Sequence, residues 1–215
     1  MAKLRITYNA PVVLTFTLAA LAVFIVVGLV SSPELTKWFE AAPDLDRTRS
    51  YVGLFTHILG HASWEHLLGN FTLILLLGPI LEERHGSVNL LLMILVTALV
   101  TGLANLVFSN GYLAGASGIA FMMILLASMA NIRGGEIPLT FIAVAIIYMG
   151  GEIVHSFRAD GVSHMAHLVG GAVGAAFGFF GARRKRAGTT IDLATAKTGA
   201  KPKQPGEVSK LKLPA

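Results

Sequence analysis

The chain has 215 residues, of which 54% are hydrophobic and only 13% are charged. Soluble domains average roughly 45–50% apolar and 25% charged residues, so this composition argues against a water-soluble fold. The absence of cysteine excludes disulfides, thiolate metal sites and a cysteine nucleophile. The net charge of +5 comes from basic residues at the ends of apolar stretches and near the C-terminus, which favours membrane anchoring over nucleic-acid binding.

Six apolar stretches predict six membrane-spanning helices, because a span needs roughly 20 apolar residues and a chain of this length has room for six. They cover residues 10–30, 67–81, 88–108, 117–130, 137–154 and 162–181. The predicted fold is therefore all-α, a polytopic membrane bundle that forms one domain over residues 1–186. Residues 187–215, rich in Lys, Thr, Gly and Pro, are predicted to be a disordered basic tail in the cytoplasm.

The placement of Lys and Arg predicts that both termini face the cytoplasm, since cytoplasmic loops carry the excess of these residues. Apart from the tail, the inner set is Lys3, Arg5, Arg84, Arg133, Arg183, Arg184, Lys185 and Arg186. The outer set is smaller and comprises Lys37, Arg47, Arg49 and Arg158. The second, fourth and sixth stretches then begin at the outer face, and residues 31–61 are expected to form a structured outer loop.

Polar side chains near the outer ends of three of these stretches are the first candidates for function, because unsatisfied polar groups are costly in hydrocarbon. In the second stretch, His66 and Asn70 are four residues apart and share one helix face. His61 falls off that face and is expected in the preceding loop. For each of these side chains alone, a hydrogen bond between helices remains an alternative.

The fourth stretch begins with Gly115-Ala116-Ser117-Gly118. A serine on a glycine-flanked turn into a helix can expose its hydroxyl while nearby backbone N–H groups point at an incoming carbonyl oxygen. This arrangement suits the nucleophile of an acyl-transfer reaction. Taken alone the tetrapeptide is a weak signal, because small residues at the start of a membrane helix often serve packing.

In the sixth stretch, Gly170, Gly174 and Gly178 recur every four residues and predict a smooth stripe for close helix packing. His167 lies about one turn before this stripe. Ser117, His66, Asn70 and His167 thus lie at one depth on three different helices. They supply a nucleophile, a base and oxyanion donors, which are the parts of a serine hydrolase.

A Ser117–His167 dyad is expected rather than a triad. The four aspartates (Asp44, Asp46, Asp160 and Asp192) lie outside the spans, and no glutamate lies near His167 in sequence. An aspartyl protease would need embedded aspartates, and a zinc protease would need a pattern such as His-Glu-x-x-His, which is absent. No metal or other cofactor is expected.

These motifs resemble those of the rhomboid family of intramembrane serine proteases. The matching residues are His61, His66 and Asn70 in the second helix motif, Gly115, Ser117 and Gly118 in the Gly-x-Ser-Gly turn, and Ala166, His167, Gly170 and Gly174 in the last helix. The resemblance covers about residues 10–182 and implies a six-helix rhomboid-like bundle. It implies that Ser117 attacks the scissile peptide and that His167 is its base. It also implies that His66, Asn70 and the Ser117 N–H hold the oxyanion.

Further residues follow the same resemblance. Phe121 matches an aromatic side chain that packs against the catalytic histidine, and residues 82–86 look like the family's inner-loop Glu-x-Arg feature. One departure concerns the outer loop, where Val52 and Gly53 stand at the positions of a Trp-Arg pair found in many members. This puts the anchoring of that loop in question, since its usual side chains are missing.

The resemblance implies substrates that are single-pass membrane proteins, cut near the outer end of their helix in the lipid bilayer. A bacterial inner membrane is the expected location. Two alternatives stay open: a catalytically silent relative that binds or escorts membrane proteins, and a proton or metal transporter. The transporter would use His61, His66, His164 and His167 as a relay or as ligands.

Overall fold

The computed structural model describes residues 7–129, 137–155 and 163–198, without the side chains of His155 and of residues 182–198. Within these ranges the chain forms eight α-helices and no strand. The helices are α1 Pro11–Val30, α2 Pro33–Thr36, α3 Thr48–Thr56, α4 Trp64–His85, α5 Ser87–Phe108, α6 Ser117–Ser128, α7 Leu139–His155 and α8 His164–Thr198. Short 3₁₀ turns at Lys37–Phe39 and His57–Leu59 flank α3.

The six predicted apolar stretches correspond in order to α1, α4, α5, α6, α7 and the first part of α8. Three described helices, α1, α4 and α5, are long and apolar enough to cross a membrane, and α6 and α7 are shorter apolar helices. The predicted all-α membrane bundle is confirmed. The orientation of the termini stays a prediction.

The C-terminal end of α8 reaches into the segment predicted to be a disordered tail. The structure continues the helix through residues 187–198, a segment that contains three alanines, which favour helical backbone. The disorder predicted for residues 187–215 stays a prediction. Residues 199–215 lie outside the described residues, and the boundary of the membrane domain at 186 stays a prediction.

Helix α6 lies at the centre of the bundle and packs against α4, α5, α7 and α8. Nearly all of its side chains from Gly118 to Leu126 are buried. Its 12 residues rise only about 18 Å, less than the roughly 30 Å thickness of bilayer hydrocarbon. Because Ala116 just before the helix is completely buried, α6 and its first residue Ser117 begin inside the protein.

The outer loop is anchored by close backbone packing. A Cβ atom at Gly53 would lie 2.2 Å from the Glu40 carbonyl oxygen, and one at Gly60 would lie 2.2 Å from that of Phe39. Ala41 pairs with Leu113 through two backbone hydrogen bonds of 2.8 and 2.9 Å. Gly53 thus has a role of its own, since only a residue without a side chain lets α3 lie directly on the loop backbone.

The N-terminal end of α1 is held by Glu82 from the last turn of α4. The N-cap residue of α1, Ala10, has no side chain that could cap the helix. Instead the two Glu82 carboxylate oxygens accept hydrogen bonds of 3.0 Å each from the backbone N–H groups of Val12 and Val13. These are first-turn donors that have no partner within the helix. Glu82 is buried, so this carboxylate joins α1 to α4 rather than serving as an interfacial charge.

We expect Glu82→Ala to lower the free energy of unfolding by about 2 kcal/mol, because it leaves two buried N–H groups unsatisfied. Thermal unfolding in detergent measures the change. Glu83→Ala is the matched control, since Glu83 is the adjacent carboxylate and its side chain is exposed. Equal melting temperatures for the two variants would contradict the capping role.

Candidate active site

The turn before α6 has a backbone that only glycine adopts easily. Gly115 has a φ of 124°, and its N–H donates a 2.9 Å hydrogen bond to the His57 carbonyl oxygen. A Cβ at this position would lie 2.6 Å from the His66 ring. The glycine of the predicted nucleophile turn is therefore required twice, by its backbone conformation and by the histidine packed on it.

His61, His66 and Asn70 converge on this turn. The Asn70 amide lies 3.1 Å from His61 Nε2, and the Ala116 N–H points at the same nitrogen from 3.4 Å. The His61 and His66 rings contact each other edge to face with centroids 5.1 Å apart. The three polar side chains predicted from the second stretch thus surround Gly115 and Ala116, the two residues that precede Ser117.

The bonding of His61 defines its protonation. Its Nδ1 lies 3.2 Å from the Leu59 carbonyl oxygen, so Nδ1 carries the proton and Nε2 accepts from Asn70 and Ala116. Burial lowers the pKa of His61 to about 4, which keeps the ring neutral at physiological pH. His61, expected in the loop before α4, is there and joins the loop to the turn.

The glycine stripe of α8 packs directly on α6, as predicted. A Cβ at Gly170 would lie 2.1 Å from the Gly118 carbonyl oxygen, and one at Gly174 would lie 2.2 Å from that of Met122. Gly118 in turn faces the Ala166 carbonyl oxygen, 3.3 Å from the place a Cβ would occupy. Contact this close places the turn of α8 that carries His167 beside the first turn of α6.

The His167 ring is stacked on Phe121, with ring centroids 4.5 Å apart and an interplanar angle of 7°. Phe121 lies one helical turn after Ser117, so it shares the face of α6 from which Ser117 starts. The edge of Tyr148, from α7, contacts the Phe121 ring at 5.9 Å. Stacking fixes the plane of the His167 ring on the side of α6 where the serine lies.

His167 is in contact with a carboxylate. The sequence had led us to expect no acidic side chain beside it, and this expectation was wrong. Glu152 of α7 places its Oε2 atom 2.7 Å from His164 Nδ1 and 2.9 Å from His167 Nδ1. All three side chains are largely buried, with exposed fractions of 13%, 9% and 12% in the order Glu152, His164 and His167. Glu152 lies 15 residues before His167 in the chain, and the packing of α7 against α8 brings the two side chains together.

The same three side chains are also the candidate metal ligands among the described residues, with ligand atoms all within 4.8 Å of one another. A tetrahedral zinc ion with bonds of 2.0–2.1 Å holds its ligand atoms about 3.3 Å apart. The contacts of 2.7 and 2.9 Å are shorter than this and have the length of direct hydrogen bonds. The cluster therefore fits a carboxylate shared by two imidazoles better than it fits a metal site.

His57 is a buried histidine that supports the site and was not predicted from the sequence. Its Nδ1 lies 3.0 Å from the Gly53 carbonyl oxygen, and its Nε2 lies 3.3 Å from the Thr101 hydroxyl. Its own carbonyl oxygen accepts the Gly115 N–H. His57 thereby connects the outer loop, α5 and the nucleophile turn. The sequence around a loop histidine does not tell whether its side chain is buried, as that of His57 is, or exposed to solvent.

We expect the protein to lose stability as the pH falls from about 6.5 towards 4. Burial lowers the pKa of His57 and that of His61 to about 4, whereas an unfolded histidine titrates near 6.5. In that window the unfolded chain binds more protons than the folded one, so protons favour unfolding; above it the effect vanishes. For His57 the resulting decrease in the free energy of unfolding is at most about 3 kcal/mol.

Thermal unfolding between pH 4.5 and 8 tests this pH dependence against the variant His57→Gln, which cannot titrate at that position. We expect the melting temperature of the variant to depend less steeply on pH than that of the wild type. Parallel pH curves for the two proteins would show that His57 is not one of the groups responsible.

Comparison with known families gives one match. The family model described as Rhomboid domain matches residues 48–184, which cover α3 to the middle of α8 and every residue of the candidate active site. Members of this family reside in membranes and are generally serine proteases, although inactive members exist. The match covers more than half of the chain and agrees with the apolar helices, the glycine turn and the close packing of α6 on α8. The chain is therefore an integral membrane protein that belongs to the rhomboid family.

Proposed function

We propose that this protein is an active intramembrane serine endopeptidase, with Ser117 as nucleophile and His167 as general base. The observation that carries the proposal is the stacking of His167 on Phe121, one turn after Ser117, at the point where Gly118 and Gly170 bring α6 and α8 into backbone contact. Both the serine and the histidine that the chemistry requires are thus present, on helices whose backbones are in contact.

The reaction follows from the roles of these groups. Ser117 Oγ attacks the scissile carbonyl carbon while its proton passes to His167, and the peptide oxygen becomes an oxyanion. The Ser117 N–H, His66 and Asn70 stabilise that charge. His167 then gives its proton to the departing amine. Water hydrolyses the acyl-enzyme by the same sequence of proton transfers, with His167 again as base.

The substrates proposed are single-pass membrane proteins, cut near the outer end of their helix, and the location proposed is a bacterial inner membrane. Ser117 begins α6 inside the protein, so a substrate must present an extended segment there rather than an intact helix, whose peptide bonds are shielded. Small or helix-destabilising residues near the cleaved bond fit this requirement.

A fluorophosphonate probe tests the proposal, because it reacts covalently with an activated serine. We expect the full-length wild-type protein in detergent to be labelled at Ser117 and to cleave a model single-span protein in liposomes. Chelators should change neither result. Absence of labelling at Ser117 in the folded protein would favour the silent relative. Metal-dependent activity that survives in Ser117→Ala would favour the use of the histidines as metal or proton ligands.

A further inference from the structure

We propose that Glu152 is a positioning residue for His167, so that the site works as a Ser117–His167–Glu152 triad rather than as a dyad. This inference rests on the proposed function and extends it. A carboxylate on Nδ1 of the base fixes which nitrogen carries the proton and stabilises the imidazolium formed during the reaction. Glu152 is the described carboxylate that meets this requirement.

The contact is close and sheltered from water. Glu152 Oε2 lies 2.9 Å from His167 Nδ1, and both side chains are about seven-eighths buried. This contact has the length of an ion pair, but its geometry does not meet that of a hydrogen bond. Catalytic hydrogen bonds are often poorly aligned in free enzymes and tighten when substrate binds. We expect the contact between Glu152 and His167 to tighten in the same way when substrate binds.

The surrounding contacts leave the His167 ring one orientation. Phe121 covers one face and sets the ring plane, at 4.5 Å and 7°. Within that plane, the contact with Glu152 turns the Nδ1 edge of the ring towards α7. When Nδ1 is turned to Glu152, Nε2 is the nitrogen left to accept the Ser117 proton. The proton therefore moves from Ser117 Oγ to His167 Nε2, while Glu152 remains ionised throughout.

His164 also contacts the Glu152 carboxylate. Its Nδ1 makes the shorter contact with Glu152 Oε2, at 2.7 Å, and it lies one turn before His167 on α8. Among the described residues, Glu152 from α7 and His164 from its own helix are titratable groups that contact His167. Glu152 supplies the negative charge in this set.

Steady-state cleavage of a model single-span protein by the full-length chain in liposomes tests the role of Glu152. We expect Glu152→Gln to lower kcat by about 10²- to 10⁴-fold with little change in KM, since an amide can hold the wrong tautomer of the base. Labelling by the fluorophosphonate should slow in parallel. Glu152→Asp, which keeps the charge, should recover part of the loss.

Glu65→Gln is the matched control, because it removes one exposed carboxylate at the start of α4 and should leave kcat unchanged. Wild-type kcat in folded Glu152→Gln would overturn the proposal. So would a wild-type rate that falls on chelation, which would make the cluster a metal site. If Ser117→Ala still cleaves, the proposed function itself fails; if Ser117→Ala is inactive and Glu152→Gln is not, only the role of Glu152 fails.

Proton NMR of the wild-type protein gives a second test that does not depend on the folding of a Glu152 variant. A histidine Nδ1–H bonded to a carboxylate resonates far downfield of the amide protons. We expect such a resonance that disappears in His167→Asn and survives in His164→Asn. Absence of any resonance with this behaviour would overturn the proposal.

Discussion

Replacement of Ser117 or His167 by alanine is expected to lower kcat/KM for a single-span substrate by at least about 10³-fold, since each removes one half of the proton transfer that creates the nucleophile. The double variant should be no slower than either single variant, because residues that act as one unit are strongly non-additive. Cleavage of the model substrate in liposomes, followed over several days, gives the residual rates.

Ser128→Ala is the control for this experiment. Ser128 ends the same helix and donates a 2.7 Å hydrogen bond to the Leu125 carbonyl oxygen, so its loss removes a serine of α6 far from the nucleophile turn. We expect near wild-type cleavage in that variant. Each alanine variant must also keep the wild-type melting temperature. A folded Ser117→Ala protein that cleaves at the wild-type rate would refute the assignment of the nucleophile.

The second large effect concerns the packing of α8 on α6. Gly174→Ala places a methyl group 2.2 Å from the Met122 carbonyl oxygen, a distance that real atoms do not adopt, and the obstacle is backbone rather than a flexible side chain. We expect a loss of about 1–3 kcal/mol in unfolding free energy. We also expect at least about tenfold lower cleavage, since α8 carries His167 and a misplacement of about 1 Å can cost 10²-fold in rate.

The same substitution on the neighbouring helix provides the comparison. A Cβ at Gly150 of α7 meets no atom within 4 Å, so Gly150→Ala should keep both the melting temperature and the activity. Thermal unfolding and cleavage assays on the two variants measure the contrast. If Gly174→Ala were as stable and as active as Gly150→Ala, the close contact of α6 with α8 would not be a requirement of the fold.

Much of this architecture could be predicted from the sequence because few backbone structures are stable in lipid. A spanning segment has to satisfy its own backbone, so a long apolar stretch is a helix, and all six predicted stretches became helices in order. The stripe of Gly170, Gly174 and Gly178 likewise predicted a close helix contact. Ser117, His66 and Asn70 were recognisable because short motifs placed them at helix ends.

The contacts that were missed depend on how each helix is rotated about its axis. Glu152 lies within the fifth apolar stretch, and a carboxylate there is itself a signal of function. The sequence does not tell, however, that the rotation of α7 turns this side chain towards His167. The outer loop was uncertain for a related reason. Gly53 replaces a large side chain, and its role, close approach to the Glu40 carbonyl, is visible only once two backbones are placed together.

The capping of α1 by Glu82 has a consequence for the synthesis of the protein. Val12 and Glu82 are 70 residues apart in the chain, so α1 leaves the ribosome long before its cap exists. Until α4 arrives, the first-turn N–H groups of α1 must stay in contact with water or lipid headgroups at the membrane surface. Docking of α4 then supplies the two missing acceptors, so this end of α1 is complete only after the two helices have met.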